Sequence, residues 1–153
     1  MLTPPDVIRL LNLSPPPVEG GHFRETYRSP HSTAIYYLLE GVGLSEMHRL
    51  PGDEVYHFYA GDPLETLLLF PDGIGRQVTL GTDLAVGQVP QLVIPGGVWQ
   101  GSVRTAGAHG WVLIGATMAP GFEYADYVRG KRAELSAGWP AFATAIAERT
   151  PHG

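Results

Sequence analysis

The sequence predicts an all-β protein, a sandwich or barrel of short antiparallel strands, and three observations carry that prediction. Short runs of alternating or continuous apolar character follow one another from residue 22 to residue 128, at the spacing of strands and turns. Twenty glycines and fourteen prolines show no G-x-y period, so they read as punctuation between those runs. No long helical pattern interrupts the series, which counts against a parallel α/β sheet.

Each element has its own signal. TPPDVIRLLNL (3–13) predicts a short helix: Thr3 caps it, the prolines suit its first turn, and Val7, Leu10 and Leu11 share a face. SPPPVEGG ends it. In HFRETYRS (22–29), Phe23 and Tyr27 fall on one face and His22, Arg24, Thr26 and Arg28 on the other, the pattern of a half-exposed strand. Strands are then expected at TAIYYLLE (33–40), LSEMHRL (44–50), DEVYHFYA (53–60), ETLLLF (65–70), RQVTL (76–80), QLVIP (91–95), VWQGSVR (98–104), WVLIGATM (111–118) and FEYADYV (122–128). PAFATAIAERT (140–150) predicts a helix packed on the barrel, with Pro140 in its first turn and Phe142 and Ile146 four apart. No repeat or linker divides the chain, so residues 1–153 are expected to form one domain.

Composition removes several function classes. The chain is 44% hydrophobic and 16% charged, a globular balance, and at 153 residues it can bury a core without staples. The absence of cysteine excludes disulfides, thiolate nucleophiles and cysteine-held zinc or iron–sulfur clusters. A net charge of −5, with 10 scattered Lys and Arg, does not suit nucleic acid. No apolar run approaches the ~20 residues that span a bilayer, so no membrane role is expected. The MLTPPDVIRLL start lacks the basic and apolar regions of a signal peptide, and a cytoplasmic location is expected by default.

MHRLPGDEVYHFYAG (47–61) holds the candidate chemistry. Strand alternation places Glu54, Tyr56 and Phe58 on one face and Val55, His57 and Tyr59 on the other. If the first set points inward, a turn at Leu50-Pro51-Gly52-Asp53 brings His48 and Glu54 toward each other inside the barrel. A carboxylate in an apolar barrel is costly unless it is paired, bound to metal or protonated, and an imidazole beside it suits acid–base chemistry. The plainer alternative is a satisfied polar pair at a strand end. His57 is expected to face away, exposed or packed on the sheet. In VIPGGVWQGS (93–102), Gln100 suits a polar small molecule better than a transition metal, while Trp99 is either core or a ligand platform.

These segments, together with EGGHFRETYRS (19–29) and ATMAPGFEYADY (116–127), resemble the cupin superfamily, and more narrowly its DUF985 (Cupin_5) family. The resemblance implies a double-stranded β-helix, a jelly roll with its site in the barrel mouth, and assembly as a homodimer. Of the usual metal set, His48 and Glu54 remain, Leu50 stands where a second histidine is expected, and Gln100 stands at the last histidine. No metal or other cofactor is therefore expected. By structural analogy the lone His48 is similar to the base of deoxysugar-nucleotide 3,5-epimerases.

Three functions follow. The first is a metal-independent isomerase or epimerase of a carbohydrate-like carbonyl compound, with His48 as base, Glu54 orienting it, Gln100 donating to substrate, and Tyr56, Phe58 and Trp99 as walls. The second is a module that binds a small molecule without changing it. The third is a metal enzyme with a reduced ligand set. A homodimer is expected through GGHFRETYRS, whose strand character and early position suit a sheet edge that needs covering.

Overall fold

The computed structural model describes residues 1–153. Thr3 and Asp6 form a reciprocal cap, side chain to backbone in both directions, over α1 (Pro4–Leu11). Val7 is buried with Ile8 and Leu11 packed beside it, whereas Leu10 is 58% exposed, so the inward face differs from the one expected.

The strands are β1 (His22–Arg28), β2 (Thr33–Glu40), β3 (Leu44–Arg49), β4 (Glu54–Gly61), β5 (Leu64–Leu69), β6 (Gly75–Leu80), β7 (Gln91–Ile94), β8 (Trp99–Arg104), β9 (Trp111–Met118) and β10 (Val128–Arg129). They form two five-stranded antiparallel sheets, in the orders β1-β2-β9-β4-β7 and β10-β3-β8-β5-β6. Facing one another, the sheets make the jelly roll expected from the sequence. Tyr37, Leu39, Leu64, Leu68 and Ile114 meet between them as the main core.

Both sheets also bury part of their outer faces, which explains the continuous apolar run Leu67-Leu68-Leu69. Leu68 faces the main core, while Leu67 and Leu69 face outward with Met47 and are covered by α2 (Arg132–Gly138) and α3 (Ala143–Glu148) through Leu135 and Ile146. On the other sheet, α1 packs Val7 over Leu38 and Trp111. Arg149, fully buried, anchors the helical layer: its guanidinium donates to Gly101 O (3.0 Å), Ala145 O (3.1 Å) and Glu65 Oε1 (2.9 Å). No helix is long and apolar enough to cross a membrane.

Three further expectations need correction. Residues 122–128 are not a strand but a 3-10 turn, Tyr124–Asp126, leading into the two-residue β10. The helix expected at 140–150 begins as a 3-10 turn over Pro140–Phe142 before α3. A bulge between Glu25 and Tyr27 separates the two aromatic residues of β1: Phe23 packs on the main core and Tyr27 is 56% exposed.

Candidate functional site

A bulge in β3 builds the first wall of the site. Ser45 pairs with Ser102 and His48 with Gln100, although an odd number of steps separates Ser45 from His48. The extra residue sends Met47 to the outer core and leaves both Ser45 and His48 turned inward. The Met47 N–H donates to Arg149 O (2.8 Å), and Met47 O accepts from the Gly130 N–H (2.8 Å), so the bulged backbone remains satisfied.

His48 is buried, with its ring stacked on Tyr127 at 4.8 Å between centroids and 16° between planes. Its Nδ1 lies 2.7 Å from Glu46 O. A carbonyl oxygen can only accept, so Nδ1 carries a hydrogen, and in the neutral ring the lone pair falls on Nε2. That Nε2 stands 3.8 Å from Glu19 Oε1. The Glu46 side chain is engaged elsewhere, accepting from the Tyr127 hydroxyl (2.9 Å) and Arg129 Nε (3.1 Å).

The opposite wall comes from β4 and β2. Glu54 and Tyr56 point inward on β4, and Gln100 joins them from the other sheet. The Tyr56 hydroxyl donates to Gln100 Oε1 (2.8 Å), and Gln100 Nε2 donates to Glu54 Oε1 (3.0 Å). Burial, and then the nearby charge of Glu19, push the Glu54 carboxyl up to about 8 against the opposing pull of the Gln100 N–H. Glu54 is therefore mostly protonated at neutral pH, with Oε1 held and Oε2 free to donate. Burial, followed by the negative charge of Glu19, also pushes up the phenols of Tyr37 and Tyr127; for Tyr56, Glu54 contributes before Glu19.

Glu19 arrives from the 14–21 loop. Its own φ is +80°, and Gly20 and Gly21 follow at +101° and +75°. This left-handed run suits the glycines and lets Glu19 O accept the Glu46 N–H (2.9 Å) while Oε1 accepts the Ser45 hydroxyl (2.8 Å). The Tyr37 hydroxyl donates to Gly20 O (2.7 Å), tying the loop to β2. A Cβ at Gly21 would sit 2.8 Å from the Tyr37 ring.

Between these walls lies a cavity of about 440 Å³ lined by Glu19, His48, Glu54 and Tyr56, with Tyr37 and Leu50 beside them. Its size falls toward the lower end of small-ligand sites, roughly 300–1,000 Å³.

Several expected roles change. Glu54 does not partner His48: the ring is held by Glu46 O and Tyr127, and its nearest carboxylate is Glu19. Gln100, 1% exposed, stands behind Glu54 and Tyr56 rather than lining the cavity, so its amide orients the acid instead of meeting a ligand. Phe58 packs against the main core, away from the cavity lining. Trp99 is on the outer face of its sheet, packed on the Met47 cluster with the Arg49 guanidinium 4.6 Å above its ring. Alternation decides this: with Gln100 inward, its neighbour Trp99 must point outward. His57 faces away from Glu54, with Nε2 2.9 Å from Thr117 Oγ1 and Nδ1 3.3 Å from Gln91 Nε2. Sequence reasoning missed Glu19, Tyr37 and Tyr127; the acid immediately before the Gly20-Gly21 pair was the available signal for the first.

The donor set does not fit a cupin metal. No three His, Cys, Asp or Glu side chains are grouped so that they could hold a metal ion, and Leu50 occupies the cavity wall where a second histidine is expected.

Paired antiparallel sheets with a polar cavity between them define a cupin. The family model described as "Cupin superfamily (DUF985)", Cupin_5, matches residues 5–129, and the chain belongs to that family. A hypothetical protein from Leishmania major has the same structure with TM-score 0.90 at 30% identity, over 97% of this chain and 98% of that one. Protein SO0799 from Shewanella oneidensis matches with TM-score 0.89 at 32% identity, again over 97% and 98%. The Saccharomyces cerevisiae "Uncharacterized protein YML079W" is 29% identical over an alignment of 134 residues that covers 71% of this chain and 66% of that protein. The chain thus matches slightly under two thirds of the yeast relative's length. Oxalate decarboxylase from Bacillus subtilis shares the fold alone, with TM-score 0.62 at 11% identity over 91% of this chain and 37% of that one.

Proposed function

We propose that the cavity binds a small, polar, carbohydrate-like carbonyl compound and isomerises or epimerises it without a metal. His48 Nε2 removes the proton from the carbon next to the carbonyl. The neutral Glu54 carboxyl donates a hydrogen bond to the carbonyl oxygen as negative charge develops there, the task that suits an acid kept protonated by burial. Glu19 stabilises the imidazolium, and the Tyr56–Gln100 pair holds Glu54 in place. Isomerisation is completed when His48 returns the proton to the former carbonyl carbon while Glu54 passes its own proton to the carbonyl oxygen and takes up that of the neighbouring hydroxyl. Epimerisation is completed when the enediolate turns over in the cavity and His48 returns the proton to its opposite face.

One observation carries this reading: a buried imidazole with a free Nε2 and a buried neutral carboxyl face a common cavity from opposite sheets. The test is solvent-deuterium incorporation into a panel of ketoses and aldoses, followed by NMR. At least one compound should exchange, and His48→Ala should slow it by about 10²–10⁴-fold. No exchange with any compound, or exchange at a near-parental rate in His48→Ala, refutes the reaction; a ligand that binds and is always recovered unchanged makes the protein a binding module.

A homodimer built along β1 belongs to the same proposal. This strand is a sheet edge whose second half is exposed, and a second copy would cover it. A monomeric mass in solution at micromolar concentration contradicts it.

A further inference from the structure

Charge at the cavity wall discriminates among the carbonyl compounds that such a site could accept. Glu19, Glu25 and Glu54 all line it. Glu25 is paired with Arg28, whose Nε lies 2.8 Å from its Oε1 and which Glu123 also shares, and Glu54 carries its own proton at neutral pH. Glu19 has no such guanidinium: its oxygen meets the Ser45 hydroxyl and stands 3.8 Å from His48 Nε2. Arg24 is the one guanidinium in the lining, and one of its donors is already engaged. Its Nε donates to Leu11 O (2.8 Å) at the C-terminal end of α1, and its Cζ lies 5.4 Å above the Tyr36 ring. A cation placed there answers the partial negative charge of the helix end. The cavity therefore offers a phosphate no cation beyond this helix-bound guanidinium and confronts it with the Glu19 carboxylate beside His48. For an uncharged polyol the same wall is well suited: carboxyl oxygens accept hydroxyl hydrogens, and the rings of Phe23, Phe122 and Tyr124 cover C–H faces.

We propose that the site takes uncharged, unphosphorylated hydroxycarbonyl compounds and that Glu19 excludes their phosphate esters. The proposal rests on the reading of the cavity as a carbonyl site, yet it can be tested by binding alone. Calorimetric titration of the full chain with a free ketohexose, its phosphate ester and its amino-substituted derivative provides the matched set. The free sugar should bind, and the ester should bind at least ~10-fold more weakly, as expected of a charge brought beside a partly buried carboxylate. Glu19→Gln keeps an acceptor for Ser45 and should shrink that gap to about threefold or less. Arg24→Gln should not narrow the gap, because its guanidinium is held at the end of α1.

An ester that binds as tightly as the free sugar overturns the proposal. So does a gap untouched by Glu19→Gln, or ester binding that disappears in Arg24→Gln. An amino derivative bound at least ~10-fold more tightly than the neutral sugar makes the ligand a cation and also overturns it, as does failure of every neutral compound to bind. Deuterium exchange separates the two readings. Selective binding of neutral sugars without exchange removes the isomerase and leaves the charge selection standing, whereas exchange that favours the ester removes the selection and leaves the isomerase.

Discussion

Replacing Glu54 by glutamine removes the perturbed carboxyl of the cavity while preserving its shape. Its amide oxygen can still accept from Gln100 Nε2, and its NH2 can take the place of the Oε2 hydroxyl. In the native protein, burial and the charge of Glu19 raise this carboxyl from an ordinary 4.5 to about 8. The unfolded chain releases the proton near 4.5 while the folded chain keeps it. The stabilising contribution of the neutral acid is therefore complete below pH ~4.5 and declines as pH climbs toward about 8. At ~1.4 kcal/mol per pH unit, an interval of ~3.5 units sets a ceiling of ~5 kcal/mol. Water in the cavity and local relaxation bring the expected effect to about 2–3 kcal/mol, in keeping with an effective dielectric constant near 20. Urea denaturation from pH 5 to pH 9 measures it. Glu54→Gln should match the parent protein at pH 5 and exceed its stability by about 2–3 kcal/mol at pH 9. Two stability curves that stay parallel across this range would show that the carboxyl ionises normally, and the proposed acid would be lost with it.

His48→Ala should reduce deuterium exchange by about 10²–10⁴-fold, and near-parental activity would remove the imidazole from the reaction. Arg149→Met should destabilise by about 3–5 kcal/mol in chemical denaturation, because Glu65 loses its partner and the carbonyls of Gly101 and Ala145 lose their donor; an unchanged midpoint would contradict the anchoring role. Asp62 is buried against its charge, but N–H donation from His109 and Gly110, with the side chains of His109 and Arg104, holds its carboxyl below the usual 3.8. Its contribution is present above that value and lost as pH falls below it, so Asp62→Asn should flatten the acid limb of the stability profile; an identical limb would rule this out. Gly21→Ala places a methyl group against the Tyr37 ring at a left-handed backbone position and should weaken sugar binding in a calorimetric titration; unaltered affinity would show that the loop tolerates displacement.

The strands were legible because alternation and Gly/Pro punctuation are local signals. β4 runs regularly from Glu54 to Phe58, so simple parity finds the inward side of Glu54 and Tyr56. The neighbouring strand shows the limit: His48 turns inward through a bulge that no alternation rule foresees, while Ser45 turns inward with it. Residues 93–102 show the opposite limit, since Trp99 and Gln100 are adjacent and cannot both face the barrel. α2 escaped notice because RAELSAG buries a single residue, Leu135, and so leaves almost no amphipathic period to read. Glu19 was hidden for another reason. It lies in an irregular loop at positive φ, where side-chain direction depends on three-dimensional closure and not on spacing along the chain.

Tyr56 and Glu54 belong to one sheet and Gln100 to the other, so the chain of hydrogen bonds through Gln100 works as a gauge of the separation between the layers. If the layers part and water reaches Glu54, the acid reverts to its solution strength and discharges its proton into the medium at neutral pH. Mild acid should therefore keep the barrel shut, whereas alkali should favour its opening.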